Sequence, residues 1–90
     1  MIRRAALLAA VLLGAAAAPP PPPGASGCSG CHGGVAPLPV LAGRPAAETA
    51  SALEAFRVGT KPATVMNRIA KGFTPAESQA IATWWAGVKP

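Results

Sequence analysis

The sequence predicts an all-α fold, and three observations lead to that prediction. Three segments after residue 44 carry apolar residues at helical spacing. Proline and glycine mark where those segments begin and end. No segment alternates between apolar and polar residues as a half-buried strand does. With 90 residues, the chain is long enough for one small domain.

The N-terminal segment has the three-part layout of a secretory signal. Two arginines lie in residues 1–4, residues 5–13 form an unbroken apolar run, and Ala15-Ala16-Ala17 offers the small residues of a cleavage site. The apolar stretch is shorter than the ~20 residues that cross a bilayer. We therefore expect residues 1–17 to be a signal peptide, with export to the periplasm and no stable membrane insertion after cleavage. An uncleaved N-terminal anchor is the alternative.

A run of five prolines, Pro19 to Pro23, follows this segment. Such a run favours an extended polyproline conformation, so it predicts a semi-rigid, proline-rich linker over residues 18–26. The folded domain is then expected to occupy residues 27–90.

The first two predicted helices are bounded by proline and glycine. Pro45 suits a first helical turn and Gly59 suits a stop, while Pro62 and Gly72 bracket a shorter helix. The apolar positions of the first helix are Ala46, Ala50, Leu53 and Phe56. Those of the second, on one face, are Val65, Met66 and Ile69.

The third predicted helix begins at the capping box Thr74-Pro75-Ala76-Glu77 and extends to about Val88. Its apolar stripe consists of Ile81, Trp84, Trp85 and Val88.

The part of the chain after the linker contains few large apolar side chains, and a domain of this size is marginal without further stabilisation. A disulfide between Cys28 and Cys31 would close a very short loop and would constrain little of the unfolded chain. A large apolar prosthetic group would supply the missing core.

The charge of the mature chain excludes one class of partner. Six lysines and arginines oppose three glutamates after residue 18, and the cations are scattered. This modest charge does not indicate nucleic-acid binding, although it allows a weakly basic docking face.

The segment Cys28-Ser29-Gly30-Cys31-His32 fits the pattern Cys-x-x-Cys-His. One helical turn brings both thiols to the same side, where they can add to the two vinyl groups of a haem, and the histidine can bind the iron through a ring nitrogen. Ser29 and Gly30 are small, so the backbone can lie close to the porphyrin edge. The pattern predicts one covalent haem c at Cys28 and Cys31, with His32 as an iron ligand.

Other interpretations of these residues remain open. A structural disulfide is possible in an exported protein. A thioredoxin-like redox pair lacks the surrounding βαβ pattern, and a zinc site would need more ligands than two cysteines and one histidine. A copper or thiol-redox protein could use the soft donors Cys28, Cys31, His32 and Met66.

Met66 is the candidate for the second axial ligand of the iron, because it is the only methionine apart from Met1. A thioether is a neutral, soft ligand that favours ferrous iron and raises the potential, which suits an electron carrier. The alternative is that Met66 fills the core.

Several short segments resemble the class I cytochromes c. They are Cys28–His32 (CSGCH), Pro39–Gly43 (PVLAG), Phe56–Thr60 (FRVGT) and Thr64–Gly72 (TVMNRIAKG). The chain is most similar to the cytochrome subunit of sulfide dehydrogenase, also called flavocytochrome c, and the resemblance covers residues 27–89.

This resemblance implies a small class I cytochrome c fold around one covalently bound haem. It makes Met66 the axial methionine and Pro39 the residue whose carbonyl accepts a hydrogen bond from the axial His32, which would fix the ring orientation. It also places Leu41 on the haem face. Because the loop after His32 is short, Pro37 is an alternative to Pro39.

The sequence departs from the family in two places. The family has a longer first helix before the cysteines, which the proline run blocks here. It often has an aromatic residue near Glu48 that reaches a haem propionate, but this chain has no tyrosine. Arg44, Arg57 and Lys61 are candidate substitutes. We also expect at least one of the two tryptophans to pack on the haem or on the glycines beside the cysteines.

The resemblance implies one-electron transfer, with both axial positions of the iron filled, by a protein that is not an enzyme on its own. The implied partner is a sulfide-oxidising flavoprotein subunit, or another redox protein. A free-standing periplasmic shuttle between respiratory or photosynthetic complexes is the nearest alternative.

Overall fold

The computed structural model describes residues 19–34 and 36–90. The predicted signal peptide, residues 1–17, lies outside the described residues. Across the described part of the chain the fold is α-helical, without strands. No helix within it is long and apolar enough to cross a membrane.

Four helices and one short 3-10 turn form the fold of the described residues. The 3-10 turn Ser26–Cys28 leads directly into α1, Ser29–His32. The longer helices are α2, Ala46–Val58, and α4, Pro75–Ala86, with the short α3, Met66–Ala70, between them. The helices predicted from proline and glycine positions are therefore present, although the second is only five residues long.

The ends of the two longer helices follow from their sequences. Gly59 takes φ +83° at the end of α2, a left-handed conformation that glycine adopts without a Cβ clash. At the start of α4, the Thr74 hydroxyl accepts a hydrogen bond from the Glu77 N–H at 3.2 Å, and the Glu77 carboxylate accepts one from the Thr74 N–H at 2.9 Å. Pro75 occupies the first turn, so the predicted capping box is present.

The core is small. Helix α2 packs against both α3 and α4. The buried apolar residues are Ala25, Leu53, Ala70, Ile81, Ala82 and Trp85. Several large apolar side chains are instead more than two-fifths exposed: Leu38, Val40, Val58, Val65 and Ile69. The protein atoms alone therefore leave much apolar surface uncovered.

The proline segment is attached to α4. The Trp84 indole N–H donates to the Pro19 carbonyl at 3.0 Å, and the Trp85 indole N–H donates to the Ala25 carbonyl at 3.2 Å. Ala25 is fully buried. The proline run has no N–H groups of its own to donate to the Pro19 carbonyl. The Ala25 carbonyl accepts a second hydrogen bond from the Cys28 N–H at 3.2 Å. Two residues of the expected linker thus contact the helical part of the chain, the exposed Pro19 through its hydrogen bond and Ala25 in the core.

Candidate cofactor site

A cavity of about 700 Å³ lies between α1, the loop that follows it, α2 and the α3 region. This volume is within the range of roughly 300–1,000 Å³ that is usual for ligand sites. Most of its lining is apolar: Leu38, Leu41, Ala52, Leu53, Phe56, Val65, Ile69 and Phe73. The cavity therefore offers an apolar ligand the contacts that the small core lacks.

Both cysteine side chains line this cavity. The 3-10 turn and α1 form one continuous helical stretch that brings Cys28 and Cys31 to the cavity, and both thiols are free. The Ser29 hydroxyl donates to the Ser26 carbonyl at 2.7 Å, which supports the turn. The arrangement presents two nucleophilic sulfur atoms to one apolar space.

Burial raises the pKa of the Cys28 thiol, and a hydrogen bond with the Trp85 side chain opposes this only in part. The same thiol lies 3.6 Å from the Gly24 carbonyl oxygen, as a weak donor. Cys28 is therefore held as a neutral thiol against the packed side of the cavity.

His32, the last residue of α1, is oriented by a hydrogen bond. Its Nδ1 lies 2.8 Å from the Pro39 carbonyl oxygen. A carbonyl only accepts, so Nδ1 carries the proton, and the Nε2 of the neutral ring keeps its lone pair. The acceptor is Pro39 and not the alternative Pro37. Histidines that bind metals are commonly oriented by such a bond at the other ring nitrogen.

Met66 reaches the same cavity from another part of the fold. It is the first residue of α3, it is half-buried, and it packs against the core. Its thioether is a soft donor without charge, so it can lie in an apolar cavity without the desolvation penalty of a carboxylate.

The structure brings all six sequence-predicted site residues to the cavity. They are Cys28, Cys31, His32, Pro39, Leu41 and Met66. Among the predicted basic residues, Arg44 and Lys61 also line it. Arg57 does not, because its guanidinium pairs with Glu54, with Arg57 Nε 2.9 Å from Glu54 Oε2. This pairing lowers the pKa of Glu54 and raises that of Arg57.

Two phenylalanines were missed as site residues. Phe56 and Phe73 line the cavity, while neither tryptophan does. The Phe73 ring lies so close to Gly24 that a Cβ there would be 2.5 Å from the ring carbon Cε1. At three of the glycines beside the cysteines, Gly27, Gly30 and Gly34, a Cβ would meet no atom within 4 Å, so no tryptophan packs closely there, and packing of a tryptophan on a haem stays a prediction. Phe73 lies between Gly72 and the capping box, in a segment that the sequence predicts as a loop. A large aromatic residue in such a short loop is the signal that could have identified it.

Comparison of the chain with protein-family models, with curated proteins and with solved structures gives no match. In residues 19–34 and 36–90, no three side chains of His, Cys, Asp or Glu cluster closely enough to hold a metal ion.

The residues present fit a covalently attached haem by their chemistry. Two thiols from one helical turn, an imidazole oriented by the Pro39 carbonyl, and a thioether all border a single apolar cavity. Arg44 and Lys61 also line it, and they are suited to the carboxylates of a porphyrin.

Proposed function

We propose that this chain is a mono-haem c-type cytochrome that transfers single electrons. Cys28 and Cys31 would hold the haem covalently, and His32 and Met66 would ligate its iron. When bound, the haem supplies the one-electron change at its iron. The protein would act as an electron carrier and not as an enzyme on its own.

One observation carries the proposal: the thiols of Cys28 and Cys31, the His32 ring and the Met66 thioether border the same apolar cavity. They come from two parts of the chain, the continuous stretch of the 3-10 turn with α1 and the later helix α3, which are separated by the whole of α2. A disulfide would involve only the two thiols and would leave the apolar cavity without an occupant. A haem uses every one of these side chains and covers the apolar lining.

The chain's own residues have distinct tasks in this role. Pro39 holds the His32 ring so that Nε2 is the free nitrogen. Met66 offers a neutral donor that favours the reduced state. The apolar side chains Leu41, Leu53 and Phe56 would surround a bound haem and keep water from it, which would reduce the reorganisation that accompanies a change of charge.

The finer identity rests on the resemblance to the class I cytochromes c, and above all to the cytochrome subunit of sulfide dehydrogenase. The proposal therefore includes the class I cytochrome c fold, export to the periplasm, and a sulfide-oxidising flavoprotein subunit as electron donor.

Size-exclusion chromatography tests the partner. Extract from cells that make the native protein is run at low salt and at ~1 M salt. The higher salt shortens the Debye length and weakens electrostatic contacts, whereas a hydrophobic subunit contact survives it. Elution of the cytochrome alone at both salt concentrations supports a free shuttle instead.

Covalent attachment is tested by denaturing extraction with acid and organic solvent. The wild-type protein should keep its pigment, while Cys28→Ala with Cys31→Ala should lose it. Ser29→Ala is the matched control, because it changes the same turn and leaves both thiols. Pigment that leaves the wild-type chain freely would refute the attachment.

A visible spectrum of the reduced protein separates the proposal from the other class of function. Haem gives intense, sharp reduced bands, whereas a copper or thiol-redox protein using Cys28, Cys31, His32 and Met66 does not. Absence of these bands from protein made in a host that matures c-type cytochromes would favour the copper or thiol alternative.

A further inference from the structure

Trp85, in the last turn of α4, is hydrogen-bonded to two distant points of the chain. Its indole N–H donates to the Ala25 carbonyl at 3.2 Å, and its backbone carbonyl accepts from the Gly43 N–H at 3.1 Å. Between these two points lie the cysteine turn, α1 and the loop that follows α1. We name residues 25–43 the histidine segment. A single residue of α4 thus holds both of its ends.

The histidine segment has few other connections to the rest of the fold. It contains no lysine, arginine, aspartate or glutamate. Among the residues that the structure describes, the hydrogen bonds that join it to α2, α3 and α4 both involve Trp85. Leu41 packs against the buried cluster that contains Trp85, but Leu38 and Val40 are each more than two-fifths exposed. The position of the segment therefore depends strongly on Trp85.

The hydrogen bond between His32 and Pro39 lies inside this segment. His32 ends the helical stretch that begins near Ala25, and Pro39 belongs to the loop that leads to Gly43. The Ala25 carbonyl also accepts from the Cys28 N–H at 3.2 Å, the bond that opens the 3-10 turn before α1. A shift at either end of the segment therefore changes the distance between the His32 ring and the Pro39 carbonyl.

We propose that Trp85 is a positioning residue that sets the length of the His32–Pro39 hydrogen bond, and through it the strength with which His32 binds a haem iron. The inference rests on the proposed haem function and adds a residue that regulates the same site from outside it. Trp85 does not line the cavity, so it acts only through other residues.

The direction of the effect follows from the chemistry of the ring. A hydrogen bond at Nδ1 makes a histidine a more basic metal ligand, and hydrogen bonds to the ligands are one of the means by which a protein sets a haem potential. A more basic ligand stabilises ferric iron relative to ferrous iron. Lengthening the His32–Pro39 bond should therefore raise the midpoint potential.

The test removes the indole N–H of Trp85 in two ways. Trp85→Phe is the first variant. In the second, genetic-code expansion places 3-benzothienylalanine at position 85, which has a sulfur atom in place of the N–H and nearly the same shape, so it keeps the packing if Trp85→Phe does not fold. Trp84→Phe is the matched control, because the acceptor of its indole N–H, the Pro19 carbonyl, lies outside the histidine segment.

Two properties of the native holoprotein are measured: the midpoint potential, and the NMR chemical shift of the His32 Nδ1 proton in the diamagnetic ferrous state. A loss of stability alone moves neither, because both report on the folded molecules. In both Trp85 variants we expect the proton to shift upfield, as a longer hydrogen bond requires. The equilibrium constant for reduction should rise by a factor of about 3, or about 28 mV, since 59 mV corresponds to tenfold for one electron. Trp84→Phe should keep the wild-type values.

The wild-type potential and proton shift in both Trp85 variants would overturn the positioning role and leave the electron carrier intact. A change in Trp85→Phe that is absent from the benzothienyl variant would also overturn it, because the volume of the ring and not its N–H would then be the cause. Equal changes in Trp84→Phe would have the same meaning for the histidine segment. A wild-type protein without a haem spectrum would instead refute the proposed function itself.

Discussion

The indole nitrogen of Trp84 lies 3.0 Å from the carbonyl oxygen of Pro19, a residue 65 positions earlier in the chain. The neighbouring Trp85 makes the corresponding bond to Ala25 at 3.2 Å. The two rings meet edge to face, with centroids 5.0 Å apart. Consecutive residues at the end of α4 thus hold both ends of the segment that leads into the cysteine turn.

The first prediction separates the two indole bonds. Trp85 is buried, so Trp85→Phe removes apolar contact and one of the two hydrogen bonds that the Ala25 carbonyl accepts, the other coming from the Cys28 N–H. This should lower the free energy of unfolding by about 2 kcal/mol. The bond of Trp84 is exposed, so Trp84→Phe should cost about 1 kcal/mol or less. Denaturant unfolding of the holoprotein measures both. A larger loss for Trp84→Phe than for Trp85→Phe would contradict this ranking.

The second prediction concerns glycines with left-handed backbone conformations. Gly24 and Gly59 have φ of +88° and +83°, but a Cβ would meet the Phe73 ring at Gly24 and nothing within 4 Å at Gly59. Gly59→Ala should therefore cost only the backbone strain, about 1–2 kcal/mol. Gly24→Ala should cost about 1–3 kcal/mol more, because Phe73 has to move. Thermal or denaturant unfolding distinguishes the two, and equal losses would mean that the Phe73 ring yields freely.

The third prediction follows from the capping box of α4. The hydrogen bond from the Thr74 N–H lowers the pKa of Glu77 below its ordinary value of 4.5. Its contribution to stability is thus complete above the unfolded-state pKa and is lost as the pH falls through the lower folded-state pKa. Glu77→Gln should remove this part of the acid dependence, measured by denaturant unfolding between about pH 7 and pH 3.

Thr74→Ala is the companion variant. It removes the hydroxyl that accepts from the Glu77 N–H, at a cost of about 1 kcal/mol at neutral pH, but it keeps the backbone N–H that lowers the pKa of Glu77. Its stability should still fall with acidification, but less than in the wild type, because the Thr74 side chain is the second, smaller cause that lowers the pKa of Glu77. Complete loss of the acid dependence in Thr74→Ala would show that the hydroxyl, not the backbone N–H, is the main source of the shift.

These elements differ in how far the sequence could predict them. The capping box, the Gly59 stop and the proximity of Cys28 and Cys31 depend on residues within a few positions of one another, so local pattern was sufficient. The bonds from the tryptophans to Pro19 and Ala25, and the contact of Phe73 with Gly24, join distant parts of the chain. Sequence periodicity does not predict these contacts, because a proline run has the same sequence pattern whether or not it contacts the rest of the protein. The sequence also did not predict that Arg57 lies outside the cavity lining while Arg44 and Lys61 belong to it, since Arg57 is paired with Glu54.

The last prediction tests Met66 as an iron ligand against Met66 as core filler. The thioether borders the cavity at the start of α3 and is half-buried. Met66→Ala should abolish the weak far-red band that reports ferric iron bonded to a thioether, and it should lower the midpoint potential, because a neutral soft donor favours the reduced state. Ile69→Ala is the matched control, because it also removes an apolar side chain from α3 and the cavity but carries no donor atom. It should destabilise the protein while the band persists. If Met66→Ala keeps both the band and the potential, Met66 only fills space, and the second axial position belongs to another group or is open.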